Sequence, residues 1–593
     1  MTTYKAPLDD MRFALFDVLD GEAVLTGLEG GEEHSRELID TVIDEFARFA
    51  EEVLAPVNAS GDAEGCHFDK ATRTVTTPKG FKEAYRRYAE DGWAGLTASI
   101  EAGGQGLPAA VGTLTKEMID SANTAWGIYP LLSHGAIDAI AHHGDDWQKE
   151  VFLKRIVDGS WTGTMCLTEP QAGSDLGLLK TRAEPNGDGS YRVSGTKIFI
   201  SAGEHDFAEN IVHLVLARLP DAPAGSRGIS MLVVPKFKVN KDGSLGERNS
   251  AAAGAIEHKM GIRGAATCVM NFDEAEGWLI GAPHKGLMAM FTMMNSARLG
   301  VGVQGLGLSE AALQGSLRYA LDRLQMRALS GPRMPEKPAD PIVVHPDVRR
   351  MLLTQRAFVE GGRVLAAYAS LQSDIEARHP DAQTRQQAGE LLSFLIPIAK
   401  GLLTESAQEC TKEALQIFGG HGYIVEHGME QLVRDARIIT LYEGTTQIQA
   451  LDLLGRKVMQ LQGAGLKRFL DEIGTFCREH AGDDSLKALV GPVATAATAW
   501  GELTRGIAAR AQANPEELGA AAMDYLYFSG YVTLAYFWAR SVAALDRSRL
   551  SASARQAKRD TAAFYMARIL PRIHLHKAGI DAGVATLPEI AGD

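Results

Sequence analysis

The amino-acid sequence predicts an α+β fold, and three patterns along the chain support this class. Amphipathic helical patterns fill residues 36–160 and 286–460, and short β-rich runs fill residues 161–285 between them. The last stretch, 461–593, is again helical and rich in alanine. We therefore predict an N-terminal helical domain, a middle antiparallel β domain, a C-terminal helical bundle and an extra helical C-terminal domain. Residues 1–35 form an N-terminal extension in this division.

The first predicted domain, 36–160, shows the 3.6-residue apolar period of helices. The stretches "RELIDTVIDEFARFAEEVLAPV" and "KEVFLKRIVDG" both follow this period, and "EAGGQGLPA" is typical of a glycine-rich loop between helices. The middle domain, 161–285, contains the runs "YRVSGTKIFISAGEH", "IVHLVLARL", "GISMLVVPKF" and "TCVMNFDEA". Gly, Asn, Asp and Pro separate these runs, which favours strands of an antiparallel sheet.

The helical bundle, 286–460, contains a proline-rich stretch, "GPRMPEKPADPIVVHPD", which predicts a loop at 331–347. The extra domain contains the apolar run "YLYFSGYVTLAYFWA" at 525–539, which has 15 residues between Asp524 and Arg540. A membrane span needs about 20 residues. We therefore predict a buried helix here; the other interpretation is a peripheral membrane face.

Composition argues against several classes of function. The chain has 593 residues, 45% of them hydrophobic, which is enough for a large interior. Its net charge is −14, and the sequence contains no Lys/Arg-rich run that would favour a nucleic-acid partner. The five cysteines are scattered without a CxxC pair, which fits a reducing cytoplasm and argues against a disulfide framework or a zinc site. The N-terminus has neither the basic start nor the apolar run of a signal peptide. We therefore expect a cytoplasmic protein without a metal, a membrane span or a nucleic-acid partner.

The stretch "GVGVQG", Gly300 to Gly305, matches the glycine fingerprint of dinucleotide-binding folds. That fingerprint requires a preceding strand, whereas the preceding stretch here, "GLMAMFTMMNSARL", is helical. We interpret these glycines as positions where helices approach each other closely.

Glu443 lies in the stretch "LYEGTTQIQALDLLGRKV", at the joint before an amphipathic helix. One interpretation is local: Thr445 or Thr446 caps the helix, and an acid near its N-terminus interacts favourably with the helix dipole. The other interpretation is catalytic, with the carboxylate acting as a base directed into a cavity. Because glycine follows at position 444, the backbone at this joint is predicted to turn sharply.

Two further stretches are candidates for binding a cofactor. In "MCLTEPQAGSDLG", Met165 to Gly177, backbone N–H groups and the hydroxyls of Thr168 and Ser174 suit polar cofactor edges and phosphate oxygens, although a turn-rich loop explains the same residues. In "SGTKIFISAGEHD", Phe199 and Ser201 occupy positions i and i+2 of a predicted strand and so share one face. An apolar wall beside a hydroxyl is what a flavin ring needs, whereas an ordinary strand also explains Phe199.

Two stretches in the helical bundle have similar alternatives. In "QIFGGHGY", Gln416 to Tyr423, two glycines allow a ligand to approach the backbone closely, or Gly419 simply ends a helix. In "RYALDRLQM", Arg318 to Met326, Arg323 is placed on a predicted helix as a phosphate ligand or as a surface charge.

Together these stretches resemble the acyl-CoA dehydrogenase family. The resemblance covers roughly residues 36–460 and depends on the ordered set "LTEPQAGSD", "GTKIFIS", "KMGIRG", "QIFGGHGY" and "YEGTTQIQ". The long proline-rich loop and the helical tail are most similar to the bacterial long acyl-CoA dehydrogenases, a branch that includes 3-(methylthio)propanoyl-CoA dehydrogenases. In this chain Phe199 stands where the family often has Trp, and the long loop replaces a short one after the Arg323 helix.

The resemblance implies a role for each candidate residue. Glu443 matches the catalytic base of the family. The cofactor-binding positions are those that line the flavin (Met165, Leu167, Thr168, Phe199, Ser201), the pyrophosphate contact Ser174, the contacts to the adenosine half of FAD, often of the neighbouring subunit (Arg323, Gln416, Gly419, Gly420), and those after the base (Thr445, Gln447). The substrate-binding positions are Ser174, Arg298 and Gly444.

The implied reaction is the FAD-dependent α,β-dehydrogenation of an acyl-CoA thioester to the trans-2-enoyl-CoA. In the family the Glu removes the α-proton, flavin N5 takes the β-hydride, and the backbone N–H of the Glu together with a ribityl hydroxyl stabilises the enolate. The resemblance also implies a short-chain or 3-(methylthio)propanoyl-CoA substrate and an electron-transfer flavoprotein as acceptor. By analogy with shorter relatives, whose tetramer surface the C-terminal extension would cover, it favours a homodimer. An acyl-CoA oxidase and a nucleic-acid-binding flavoprotein of the same fold are the alternatives.

Overall fold

A computed structural model describes residues 4–590. The described chain forms two compact units by backbone proximity. The β-rich unit comprises residues 49–107 and 122–300, and the helical unit comprises residues 4–48, 108–121 and 301–590. The predicted α+β class is confirmed.

Within the described residues the β-rich unit contains a seven-stranded sheet, which corresponds to the predicted middle domain. Its strands are Trp161–Cys166, Arg182–Pro185, Ser190–Ser201, Asn210–Arg218, Ile229–Pro235, Ala251–Ile256 and Thr267–Ile280. Val193, Ile200, Val215, Leu232 and Phe272 belong to one buried core on this sheet. The alternation of apolar and polar residues in the sequence thus places one set of side chains in a common core.

The sheet is mixed, whereas the sequence predicted a wholly antiparallel one. The strand Trp161–Cys166 runs parallel to Asn210–Arg218, with Trp161 opposite Asn210 and Cys166 opposite Val215. The chain passes through other strands of the sheet before it returns, and a parallel pair requires such a long connection. The remaining pairs are antiparallel apart from a single parallel contact of Arg182 with Arg218.

Short elements complete the β-rich unit. They are the helices Asn58–Glu64, Phe81–Glu90, Asp146–Gln148 and Lys154–Val157, the π-helical turn Lys149–Leu153, and the hairpins His67–Asp69 with Thr74–Thr76 and Phe237–Val239 with Leu245–Arg248. The predicted helix at "KEVFLKRIVDG" and the predicted loop at "EAGGQGLPA" are both present.

The helical unit is built from helices of 5 to 37 residues. They are Leu8–Arg12, Gly21–Thr26, Arg36–Phe49, Pro346–Arg378, Ala382–Phe418, Met429–Ile438, Thr446–Leu451, Ala464–Glu479, Lys487–Ala513, Glu516–Ala544, Ala552–Phe564 and Ile573–Ala582. Two more helices contribute residues to both units: Gly286–Asp322, and Ala109–His143, which is interrupted at Asn123 by a non-helical φ of −160°.

The glycines of "GVGVQG" allow close helix packing, as the sequence interpretation predicted. A Cβ at Gly305 would lie 2.6 Å from the carbonyl oxygen of Leu403, and one at Gly302 would lie 3.2 Å from that of Ala399. Both partners belong to the helix Ala382–Phe418. The stretch lies inside the helix Gly286–Asp322 and is therefore not a dinucleotide fingerprint.

The predicted loop after this helix is organised around Asp340, whose side chain is buried. Asp340 accepts hydrogen bonds from the backbone N–H groups of Ala328, Arg333 and Met334, at 2.8–3.0 Å. Burial alone would raise the pKa of this carboxyl, but the backbone donors outweigh it and lower the pKa to about 2. The sequence predicted that Arg323 lies on this helix. The helix ends at Asp322, so Arg323 follows it instead.

The apolar run 525–539 lies within the helix Glu516–Ala544 and is buried, as the sequence predicted. Trp538 of this helix donates a hydrogen bond of 3.0 Å from its indole N–H to the carbonyl oxygen of Ala357. Among residues 4–590, the helices are all too short or too polar to cross a membrane.

A buried cluster of charged side chains connects the N-terminal segment to the helices that follow. Arg363 is 1% exposed and contacts the carboxylates of Asp10, Glu117 and Glu310. Lys558 contacts Asp10 as well as Glu360. Carboxylates therefore outnumber the cations that contact them in this cluster. Burying an excess of one sign of charge is costly, so protonation of a carboxylate stabilises the cluster.

Glu117 is the member of this cluster that we expect to hold a proton. Burial is the largest influence on its pKa and raises it to about 7, against the opposing effect of Arg363. This pKa lies above the ordinary value of 4.5. At a pH between these two values, the folded protein still holds a proton that the unfolded chain has released. The contribution of Glu117 to stability is therefore complete below about pH 4.5 and is lost as the pH rises through about 7.

A Glu117→Gln variant tests this dependence, because its side chain is neutral at every pH. We expect the melting temperature of the variant to vary less than that of the wild type between about pH 4.5 and 7. The measurement is a series of thermal melts across this range. Equal slopes for the two proteins would contradict the raised pKa.

Candidate active site

Glu443 adopts a backbone conformation that is rare for its residue type. Its φ is +56°, and Gly444 follows with φ +87°, so two consecutive residues are left-handed. A left-handed conformation costs a non-glycine residue roughly 1–2 kcal/mol, and such conformations are concentrated at functional sites. The sharp joint predicted from "YEGTT" is confirmed. The side chain of Glu443 is half-buried, and contacts with neighbouring residues must stabilise its strained backbone.

The helix after the joint is capped by Thr445 and not by Glu443. The Thr445 hydroxyl accepts a hydrogen bond of 3.3 Å from the backbone N–H of Ile448, and the helix Thr446–Leu451 begins at the next residue. Glu443 lies two residues before the cap. The local interpretation named Thr445 as a possible cap, so this part of it is confirmed, and the cap does not decide between the two interpretations of Glu443.

Several side chains hold the Glu443–Gly444 turn. The ammonium of Lys400 donates a hydrogen bond of 2.8 Å to the carbonyl oxygen of Gly444. The side-chain amide of Gln449 donates to the carbonyl oxygens of both Glu443 and Gly444, at 3.1 and 3.3 Å. A Cβ on Gly444 would lie 2.7 Å from this amide nitrogen, so glycine is required here by space as well as by its positive φ.

The "QIFGGHGY" stretch forms the end of the helix Ala382–Phe418. Gly419 ends this helix with φ +59°, as the local interpretation predicted, and a Cβ on Gly419 or Gly420 would meet no atom within 4 Å. Gln416 and both glycines are exposed. Tyr319 stacks on Phe418 with ring centroids 4.0 Å apart, so the end of the helix that precedes Arg323 packs against this stretch.

In the β-rich unit, the "LTEPQAGSD" loop is held by the carboxylate of Glu169. This carboxylate accepts hydrogen bonds from the Lys197 ammonium at 2.9 Å and from the backbone N–H groups of Lys180 and Thr181 at 2.7 and 3.0 Å. Burial opposes ionisation, but the charge of Lys197 and these donors lower the pKa of Glu169 to about 2. A carboxylate with so many donors is a weak base, which argues against Glu169 as an alternative to Glu443.

Phe199 is exposed on strained backbone. Its φ is +58° and its side chain is 60% exposed, although it lies in the strand Ser190–Ser201. The pairing with Thr267–Ile280 shifts by one residue here, since Lys197 pairs with Met270 and Ile200 pairs with Cys268. Ile200 is buried, whereas Phe199 and Ser201 are more exposed, so the predicted sharing of one face agrees with the burial pattern.

The loop and the strand are joined beside Phe199. The backbone N–H of Ile198 donates a hydrogen bond of 2.9 Å to the carbonyl oxygen of Thr168, and the Lys197 ammonium donates to that of Leu167 at 3.0 Å. The structure therefore brings the Leu167–Thr168 segment next to the strand that bears Phe199. Met165 lies at the end of the preceding strand, Trp161–Cys166.

Other candidate residues are more dispersed. Ser174 and Gln447 are exposed, and Arg298 is 4% exposed within the helix Gly286–Asp322. Sequence reasoning missed Lys400, Gln449 and the structural role of Glu169. Lys400 had a signal, since it is a lysine inside the apolar run "LIPIAKGLL".

The chain is similar over almost its whole length to a curated relative from Ruegeria pomeroyi named 3-methylmercaptopropionyl-CoA dehydrogenase. The two are 42% identical over 568 residues, which cover 96% of this chain and 94% of the relative. The chain belongs to the acyl-CoA dehydrogenase family. It is therefore an oxidoreductase that acts on acyl-CoA thioesters. A butyryl-CoA dehydrogenase from Syntrophomonas wolfei is 32% identical over 587 residues, which cover 96% of this chain and 95% of that protein.

Family models of the acyl-CoA dehydrogenases match successive parts of the chain. The N-terminal domain model matches residues 36–160, the middle domain model 164–275 and the C-terminal domain model 284–459. A further model, described as acetyl-CoA dehydrogenase C-terminal like, matches residues 469–591. The extension is thus a family module as well.

A solved structure supports the same fold. The crystal structure of an acyl-CoA dehydrogenase complexed with FAD from Bacillus anthracis has a TM-score of 0.74. It is 20% identical to this chain, and the match covers 94% of this acyl-CoA dehydrogenase and 90% of that one.

Proposed function

We propose that Glu443 is the base that removes the α-proton in an FAD-dependent α,β-dehydrogenation of an acyl-CoA thioester. The observation that carries this proposal is the left-handed backbone of Glu443, φ +56°, at a joint whose helix cap is supplied by Thr445. Strained backbone of this kind is concentrated at functional sites. Removal of the α-proton develops charge on the thioester carbonyl, and backbone donors at a fixed turn are suited to stabilise it.

FAD is the cofactor of this reaction, and the residues present fit it. Phe199 offers an exposed ring next to the Leu167–Thr168 segment, and the exposed Gly419 and Gly420 offer backbone that a ligand can approach closely. When bound, the flavin accepts the β-hydride at N5. In the β-rich unit the residues proposed to hold FAD are Met165, Leu167, Thr168, Ser174, Phe199 and Ser201. In the helical unit they are Thr445 and Gln447, together with Arg323, Gln416, Gly419 and Gly420, which in the family often belong to the neighbouring subunit.

We propose short-chain acyl-CoA substrates, with 3-(methylthio)propanoyl-CoA first among them. The support is the similarity to 3-methylmercaptopropionyl-CoA dehydrogenase of Ruegeria pomeroyi and to butyryl-CoA dehydrogenase of Syntrophomonas wolfei. Ser174, Arg298 and Gly444 remain the predicted substrate contacts.

We expect the purified protein to be yellow and to turn over 3-(methylthio)propanoyl-CoA and butyryl-CoA with kcat/KM at least about tenfold above that for palmitoyl-CoA. The measurement is reduction of an artificial electron acceptor across a panel of acyl-CoA thioesters. Pentanoyl-CoA is the matched control, because a methylene replaces the sulfur at nearly the same length. A preference for palmitoyl-CoA would contradict the substrate proposal. A colourless protein that FAD cannot reconstitute would contradict the cofactor.

An electron-transfer flavoprotein as acceptor, a cytoplasmic location and a homodimer complete the proposal. Apolar side chains are exposed close in sequence to Arg323 and Gly420, among them Met326, Leu329 and Tyr423. Such a surface favours contact with a second copy of the chain. The domain division at residues 35, 160, 285 and 460 remains a prediction.

A further inference from the structure

Lys400 is a fully buried lysine, with 0% of its surface exposed, inside the helix Ala382–Phe418. Burial of an ammonium costs several kcal/mol unless strong partners compensate it. A lysine is therefore retained at such a position when its charge stabilises something that an apolar residue could not. Its hydrogen bond of 2.8 Å to the carbonyl oxygen of Gly444 identifies one group that it stabilises.

Gln449 reaches the same turn from the helix that follows it. Its side-chain amide donates to the carbonyl oxygens of Glu443 and Gly444 at 3.1 and 3.3 Å, and 0% of Gln449 is exposed. Lys400 and Gln449 thus hold both carbonyl groups of the left-handed pair. The two donors come from different helices, Ala382–Phe418 and Thr446–Leu451.

Held carbonyls determine where the base points. The Glu443 carbonyl belongs to the peptide plane that follows Glu443, and the Gly444 carbonyl belongs to the next plane, so the two donors fix the turn on the C-terminal side of the base. A non-glycine residue at φ +56° returns to an ordinary conformation unless contacts prevent it. Loss of a donor would let these planes rotate and would displace the Glu443 carboxylate. A displacement of about 1 Å is enough to lower a rate by about 10²-fold.

We propose that Lys400 and Gln449 are positioning residues for the proton transfer to Glu443. This inference rests on the proposed function of Glu443 as the base. In this proposal, the buried ammonium of Lys400 and the buried amide of Gln449 hold the strained turn that orients the Glu443 carboxylate.

The test compares Lys400→Met with Lys558→Met. Both substitutions remove a buried ammonium and keep a side chain of similar length, but Lys558 contacts Asp10 and Glu360 and not the turn. The readouts are FAD content, melting temperature and the rate of anaerobic flavin bleaching by substrate, measured as a function of substrate concentration. A crystal structure of Lys400→Met reports φ of Glu443 independently of activity.

We expect both variants to melt at lower temperature and to retain FAD. The limiting bleaching rate should fall by about 10²-fold in Lys400→Met, with the half-saturating substrate concentration nearly unchanged, and should stay within about twofold of the wild type in Lys558→Met. A wild-type rate in folded Lys400→Met, or equal losses in the two variants, would overturn the proposal.

If Lys400→Met does not fold, Gln449→Met tests the same proposal. We expect its bleaching rate to fall at least about tenfold, and a wild-type rate would overturn the proposal. Failure of the proposed function gives a different result, because Glu443→Gln would then be bleached at nearly the wild-type rate whatever the Lys400 and Gln449 variants do.

Discussion

Glu443→Gln is expected to lower turnover by at least about 10²–10⁴-fold, the usual range for loss of a general base. Glutamine keeps the size of the side chain and can occupy the same left-handed turn, but it cannot accept the α-proton. FAD content and melting temperature should change little, because Thr445 and not Glu443 caps the following helix. Anaerobic bleaching of the flavin by substrate measures this step without an electron acceptor.

Glu426→Gln is the matched control for this variant, since Glu426 is an exposed glutamate that precedes the same segment. Its bleaching rate should equal that of the wild type. Near-normal bleaching in Glu443→Gln would contradict the proposed base. Glu169 would then be a poor replacement, because Lys197 and its backbone donors keep its pKa at about 2.

Arg363→Met is expected to cause the largest loss of stability, about 3–5 kcal/mol. The substitution leaves the carboxylates of Asp10, Glu117 and Glu310 without the guanidinium that contacts all three. Removal of one partner from a buried ionic cluster is far more costly than replacement of the whole cluster by apolar residues. The measurement is chemical or thermal unfolding near neutral pH.

Arg86→Met is the control, because Arg86 contacts Glu90 at 2.7 Å and both side chains are exposed. A pair of this kind contributes about 0–1 kcal/mol. The deficit of Arg363→Met should also shrink as the pH falls, since protonation removes the uncompensated charges. A loss below about 1 kcal/mol at neutral pH would show that the cluster does not depend on Arg363.

The sequence predicted the features that depend on local chemistry. The glycine after Glu443 predicted a sharp turn, and the structure has φ +56° and +87° at these residues. The helical surroundings of "GVGVQG" excluded a dinucleotide fingerprint, and Gly305 packs against Leu403 of another helix. The ordered motifs identified the family, because five weak patterns in one order are rarely found together by chance.

Features that depend on contacts between distant segments were not predictable. A one-residue shift of pairing gives Phe199 its positive φ, but such a bulge leaves the alternation of residue types almost unchanged. The parallel pairing of Trp161–Cys166 depends on which strand the chain returns to. The helix before Arg323 ends at Asp322, although the helical pattern of "RYALDRLQM" continues past it; the backbone N–H of Ile342 binds the carbonyl oxygen of Arg323.

The candidate site divides in the same way. Glu443, Thr445 and Phe199 could be named from motifs, whereas Lys400 and Gln449 acquire a role only through carbonyl oxygens that the fold brings to them. A lysine inside the apolar run "LIPIAKGLL" indicates that the fold supplies a polar partner for its ammonium, but the sequence does not identify that partner.

The contact between Asp10 and Lys558 joins residues 548 positions apart. In a newly made chain this contact cannot form until both residues have been synthesised. At a synthesis rate of roughly 5–20 residues per second, Asp10 leaves the ribosome roughly 30–110 s before Lys558. Neither cation is present until Arg363 is made, 353 residues after Asp10, and from then until Lys558 is made Arg363 alone offsets the carboxylates of this cluster. The helix Leu8–Arg12 can therefore reach its final packing only after Lys558 has been synthesised, and its apolar residues need shielding until then.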